Sequence, residues 1–285
     1  MESLIHLAIP GFISLMILEA VVAARRGDDI YEARDTATSL AMGVGNVLIN
    51  LGWKTVAFGI YSAVYRLAFF DLGDGAIVWI ALLFADDFCY YWFHRASHEV
   101  RLFWAAHVTH HSSQRYNLST ALRQSWTSSI TGILFWLPLP LLGFRPEMIM
   151  TMTALNLLYQ FWVHTELIDT LGPIEWVMNT PSHHRVHHGA NVRYLDRNYA
   201  GIFIIWDRLF GTFEPETEPV RFGLTKNIDS YNPIWVAFHE WVGIVRDVRK
   251  APTAAAAIGY IVAPPGWQPD GEGWSSRELQ ETASA

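Results

Sequence analysis

Nine of the chain's 12 histidines fall into three short stretches: "HRASH" (His94, His98), "HVTHH" (His107, His110, His111) and "HHRVHH" (His183, His184, His187, His188). On a helix, side chains three or four residues apart share a face. Each stretch can therefore offer two imidazoles to one metal ion: His94 with His98, His107 with His110 or His111, His184 with His187 or His188. Imidazoles crowded together lose solvation and repel one another when protonated, unless a cation holds them neutral. Packing alone does not explain such spacing; metal ligation does.

Eight nitrogens are about twice what a tetrahedral zinc site takes, and imidazole suits iron, copper and zinc alike, so a two-metal centre is the economical reading. Sulfur chemistry is excluded, because Cys89 is the sole cysteine and neither a disulfide framework nor a CxxC site can be built from it. The zinc-protease signature HExxH is absent: Glu99 follows His98 and Glu240 follows His239, each without the second histidine. Histidine-rich ligation in oily surroundings points to a non-haem di-iron centre that activates oxygen.

Further candidates flank the clusters. His164, in "FWVHTE", lies one helical period after Gln160 and two after Asn156, a polar line that suits a ligand or a direct support of one, with helix packing as the alternative. Asp86 and Tyr90 precede His94 by eight and four residues on one face, with Asp87 one notch round; a carboxylate there could hold a ligand's other N–H or make a simple hydrogen bond between helices. Asp207, in "IIWDRLFGTFEPE", could orient a cap histidine or pair with Arg208. Glu99 is the carboxylate nearest the first cluster in sequence. His6 and His239 read as ordinary hydrogen-bonded residues.

These residues need a scaffold, and the composition names its kind. Hydrophobic residues make up 51% of the 285-residue chain and charged ones 16%, with 13 tryptophans, a profile shifted toward membrane proteins. Apolar blocks cover residues 4–24, 40–70 and 76–93, and a further pair, 126–144 and 148–163, is interrupted by "LPLPLLGFRP" and either crosses fully or dips in. A cleaved signal peptide is the competing reading of the first block, but Arg25 and Arg26 follow the apolar run rather than precede it. Glu19 inside that block must face protein or lie near the interface.

Arg25, Arg26 and Arg34 share one side with Arg95, Arg101, Arg115 and Arg123, against Arg66 and Arg145 on the other. By the positive-inside rule the N-terminus lies outside and every histidine cluster faces the cytoplasm. Residues 173–222 hold no run long enough to span and should form a cytosolic cap. The tail beyond Lys250 should be partly packed and partly disordered. A net charge of −7 without a basic patch leaves nucleic acid out as a partner. The expectation is one all-α, polytopic membrane domain over 1–285 with about four to five spans or hairpin helices. It divides into spans in 1–72, a histidine core in 76–216 and a tail in 251–285.

The intact HxxxH, HxxHH, HxxHH series resembles the fatty acid hydroxylase and sterol desaturase superfamily. "FHRASHE", "HVTHHSSQRYNLSTALRQSW", "LGPIEWVMNTPSHHRVHHG" and "NYAGIFIIWDRLFGTFEPE" look closest to its alkylglycerol monooxygenase branch, over about residues 34–216. The resemblance implies a membrane di-iron monooxygenase that uses O2 to hydroxylate a lipid C–H bond, beside the ether oxygen in that branch, with tetrahydrobiopterin as reductant. It implies two iron ions held by His94, His98, His107, His110, His111, His184, His187 and His188, with His183 and His164 as additional ligands or their supports, and with Glu99 at a polar position beside the first motif. Residues that bind an organic cofactor stay unassigned. This chain is shorter than the animal enzyme, and without a fused cytochrome or ferredoxin-like cysteine pattern its electrons must come from a small reductant or a ferredoxin or cytochrome partner. Desaturation, or acyl or head-group hydroxylation, is the alternative within the superfamily. A membrane zinc hydrolase of lipids, with Glu99 as base, is the alternative of another class. Zinc can replace iron on the same nitrogens in a purified sample.

Overall fold

Three helices long and apolar enough to cross a membrane form the frame: α1 (Leu4–Arg26), α2 (Ala33–Tyr65) and α3 (Ala76–Glu99). The structure, a computed structural model, describes residues 4–284, with the side chains of Ile5, His6 and Ser284 outside the description. No strand occurs among the described residues, and two isolated bridges, Met178 with Phe203 and Gly189 with Phe222, are the β pairing recorded.

On α3 the sense of amphipathicity is inverted. Asp86, Asp87, Tyr91, His94 and His98 are buried, whereas Ile77, Ile80, Phe84 and Trp92 are exposed. A helix in water would bury the second set, so the surroundings of α3 are hydrocarbon. Glu32 caps α2 by accepting from the backbone N–H groups of Arg34 and Asp35. At 33 residues α2 is about 50 Å long, well beyond a hydrocarbon core of about 30 Å. Its first turns bury Asp35, Thr38, Ser39 and Met42 against the histidine-bearing region, while Val44, Leu48 and Leu51 farther along are exposed.

After α3 come two single turns, α4 (Arg101–Trp104) and α5 (Val108–His111). Then α6 (Ser128–Trp136) and α7 (Pro138–Leu142) run as one interrupted helix into α8 (Pro146–Phe161). Gly143 makes the turn with φ +103, where a Cβ would lie 2.2 Å from the Phe70 carbonyl oxygen. The Phe69 N–H donates to the Leu141 carbonyl, and Arg145 pairs with Asp74 at 2.6 Å. The hairpin tip therefore meets the α2–α3 turn: the pair runs the full depth of the bundle. Leu82, Trp136, Leu139, Met148 and Ile149 make its core.

Helices α9 (Pro181–His187) and α10 (Ile205–Phe210) belong to the cap, followed by α11 (Pro233–Lys250), α12 (Ala254–Val262) and α13 (Ser276–Ser284). The tail is more ordered than its composition suggests. Glu278 accepts from the Ser275 N–H and hydroxyl to start α13, and the Gln280 amide donates to the Val192 and Leu195 carbonyls of the cap. Glu19 of α1 is buried among protein donors: Tyr31 Oη, Thr165 Oγ1 and the Leu118 N–H all donate to its carboxylate. That tie fastens α1 to the residue next to His164.

Candidate metal centre

The ends of α3 and α8, the turn α5 and the helix α9 converge below the bundle and bring nine histidines together in two groups. The first joins His94, His98, His107, His111 and His187; the second joins His110, His164, His184 and His188. Within each group the ring nitrogens lie within 4.8 Å of one another. Helical spacing of four sorts the neighbours: His107 pairs with His111 and sends His110 to the other group, and His184 pairs with His188 and sends His187 back. The second and third motifs thus each serve both groups.

Second contacts fix the tautomers. His94 Nδ1 donates to the Tyr199 carbonyl at 2.8 Å, His164 Nδ1 to the Gln160 carbonyl at 2.8 Å, and His187 Nδ1 to the Arg197 carbonyl at 2.9 Å. A carbonyl only accepts, so each Nδ1 holds the proton and each Nε2 is a bare lone pair. Those lone pairs face one another. His107 Nε2 is 2.9 Å from His94 Nε2 and 3.1 Å from His111 Nε2, while His164 Nε2 is 3.2 Å from His110 Nε2 and 3.0 Å from His184 Nε2. Nitrogens bound at right angles to one ion about 2.1 Å away would be about 3 Å apart, so these spacings fit a cation inside each group. His98, His187 and His188 have an Nε2 buried with no hydrogen-bond partner among the described residues, a costly state unless a metal takes it. The donors are all nitrogen, which suits iron, copper or zinc.

Burial first, and neighbouring rings second, push His107, His111, His187 and His188 well below the ordinary histidine range, and burial takes His164 down to about 4. The rings are therefore neutral at pH 7, the form that ligates metal.

The remaining sequence candidates fall elsewhere. His183 lies in neither group: its ring sits edge-on to Phe213, centroids 5.3 Å apart. Glu99, its side chain 43% exposed, pairs with Arg95 at 2.8 Å and contributes to neither group. An i,i+4 partner on its own helix holds it away from the rings. Asp86 accepts from Trp136 Nε1, Thr153 Oγ1 and Asn156 Nδ2, and so ties α3 to α6 and α8 instead of touching a ligand. Asp207 accepts from the Tyr199 and Ala200 N–H groups and from Thr212 Oγ1. It thereby orients a histidine at one remove, through the residue whose carbonyl holds His94.

Asp87 has the same office: it accepts from the Ile202 and Phe203 N–H groups and from Trp206 Nε1. Asp196, at φ +58 and 3.5 Å from His98 Nδ1, was not singled out in the sequence; the signal lies in Asp196 and Asn198, short polar residues that tolerate the left-handed backbone beside Tyr199.

A cavity of about 350 Å³ opens from the histidines into the bundle. His107, His110 and His164 contribute to its lining, as do the apolar Phe93, Ile133 and Leu157.

Comparison with known proteins agrees with this geometry. Residues 79–212 match the family model described as "Fatty acid hydroxylase". Alkylglycerol monooxygenase of Homo sapiens is 46% identical over 267 residues, covering 92% of this chain and 59% of that protein. The Danio rerio protein of the same name is 42% identical over 93% of this chain and 60% of its own length. An ornithine lipid hydroxylase of Rhizobium tropici is 29% identical over 145 residues, 50% of this chain and 44% of that protein. The chain spans about three-fifths of the length of the alkylglycerol monooxygenases just cited. No solved structure matches. With all three histidine motifs inside the matched segment, three bilayer-length helices in the chain and extensive identity to such relatives, residues 79–212 of this integral membrane protein are similar to the fatty acid hydroxylase family.

Proposed function

We propose that the protein is a membrane di-iron monooxygenase that uses O2 to hydroxylate a lipid C–H bond, with the carbon beside the ether oxygen of an alkylglycerol as the preferred target. The observation that carries this reading is the opening of the apolar cavity onto His107, His110 and His164, members of both histidine groups. The names of the relatives supply the substrate class. Two irons, when bound, would supply O2 activation and part of the electrons that it needs.

The chain's own residues do the rest. Nine histidines hold the ions; His183, beside its ligand neighbour, supports the turn of α9. The carbonyls of Tyr199, Gln160 and Arg197 keep the ligating lone pairs aimed inward, and Asp87 and Asp207 keep the Tyr199 segment in place. The buried walls exclude water, which protects a strong oxidant from side reactions. The remaining electrons come from outside the chain, from tetrahydrobiopterin or from a ferredoxin or cytochrome partner. Positive-inside counting supports a cytoplasmic metal end, within reach of such donors. The zinc-hydrolase alternative needs a carboxylate base at the ions, and the Glu99–Arg95 pair argues against it.

The test is elemental analysis of anaerobically purified protein, followed by incubation with alkylglycerol, O2 and either reductant. About two irons per chain and an oxygenated lipid support the reading. One zinc, no iron after growth in iron-rich medium, and lipid cleavage without O2 would replace it with the hydrolase.

A further inference from the structure

One wall of the cavity is polar where a membrane helix is ordinarily oily. On α2, Asn46, Asn50 and Lys54 recur at four-residue spacing, so three polar side chains follow one face over about 12 Å. All three line the cavity, as do Ser125 and Ser129 across from them. Asn46 Nδ2 donates to the Ser125 carbonyl at 2.6 Å, Asn50 Nδ2 to Asn46 Oδ1 at 2.9 Å, and Ser129 Oγ to Asn50 Oδ1 at 2.7 Å. These bonds fix which way both amides point. They use one hydrogen of each amide nitrogen, which carries two.

Polar groups within a span are costly and mark functional surface by default. Pinning α2 to α6 would need one such contact; a run of amides ending in an ammonium, set along a cavity that reaches the histidines, exceeds that need. The apolar part of the lining, with Phe93, Ile133 and Leu157, suits hydrocarbon.

We propose that the Asn46–Asn50–Lys54 wall is the subsite for the oxygen-bearing head of the lipid. Asn46 and Asn50 donate to its hydroxyl or ether oxygens and Lys54 meets the most negative oxygen, while the hydrocarbon lies along the apolar wall. This assignment rests on the lipid-monooxygenase reading above. The acceptor oxygens could belong to a neutral diol or to a phosphate monoester, and the two arms of the test separate these.

The experiment uses the metal-loaded protein in lipid nanodiscs, kept anaerobic and without reductant so that binding is read apart from turnover. The probes are radiolabelled hexadecyl glycerol ether and its phosphate monoester. Asn50→Leu is expected to weaken both by roughly ten-fold with metal content unchanged. Lys54→Met, compared with Lys54→Arg, weakens the phosphate ester by a similar factor if that is the natural head, and affects both probes alike if the diol is. Wild-type binding of both probes by Asn50→Leu and Lys54→Met would overturn the proposal. Should Asn50→Leu not fold, Ser129→Ala against Asn50→Gln makes the same comparison, and unchanged binding in both again sinks it. Tight, variant-sensitive binding with no oxygenated product after O2 and reductant are added would leave the subsite standing and remove the monooxygenase. Product formed with variant-insensitive binding does the reverse.

Discussion

At the scale of single residues, the structure separates histidines that the sequence presents as equals. His107 Nε2 touches nitrogens of two group members, so His107→Ala should lower metal content from about two ions per chain to about one, whereas His183→Ala should keep both. Mass spectrometry of the metals decides it, and equal loss in the two variants would refute the division. Protonation gives a second prediction. His164 ordinarily titrates near 6.5 and is held down to about 4 by burial, so between those values the unfolded chain binds the extra proton. Stability of the metal-free protein is full above pH about 6.5 and falls as pH drops toward 4, and metal is lost over the same range because protons compete for its ligands. Melting temperatures of apoprotein taken from pH 8 to 4 should therefore decrease monotonically; a rise on acidification would contradict it. The clusters themselves were legible because spacing and residue type alone announce them. The separation of Glu99 from them was not, since Arg95 was equally visible in the sequence and nothing local ranks an ion pair above a catalytic post.

Among the elements, the three long helices and the proline-broken hairpin could be read from apolar block lengths, and the inverted face of α3 follows from the same pattern. What could not be read is how far the hairpin reaches, because that depends on the meeting of Gly143 with Phe70 and of Arg145 with Asp74, pairs about 70 residues apart in sequence. Gly143→Val should disrupt that meeting by both clash and left-handed backbone, at a cost on the order of 3 kcal/mol; folded yield by fluorescence-detected size exclusion measures it, and wild-type yield would speak against the tight turn. The cap's tether to α3 also lay beyond sequence reasoning, since backbone N–H groups are the partners of Asp87. Asp87→Ala leaves the Ile202 and Phe203 N–H groups and Trp206 Nε1 without their acceptor, a loss of roughly 3 kcal/mol or more. It should loosen residues 199–206 in hydrogen exchange while α1 and α2 stay protected.

Considered whole, the molecule has its polar chemistry at one end of a frame sized for a bilayer. Its sole cysteine, Cys89, is buried, which makes cysteine-labelling topology direct. Asp71→Cys should react with an impermeant maleimide added to intact cells, and Arg193→Cys only after permeabilisation; the opposite pattern would invert the orientation proposed from the arginines. The interleaving of the two histidine groups has a consequence for how such a protein is made. His187 belongs to one group and His188 to the other, so a single peptide bond joins the pieces that complete both. A nascent chain that has inserted its spans and reached Val186 still lacks a ligand of each, and two residues later it has the full set. In the proposed metalloprotein neither group could fill before α9 has left the ribosome, and the two would become complete together.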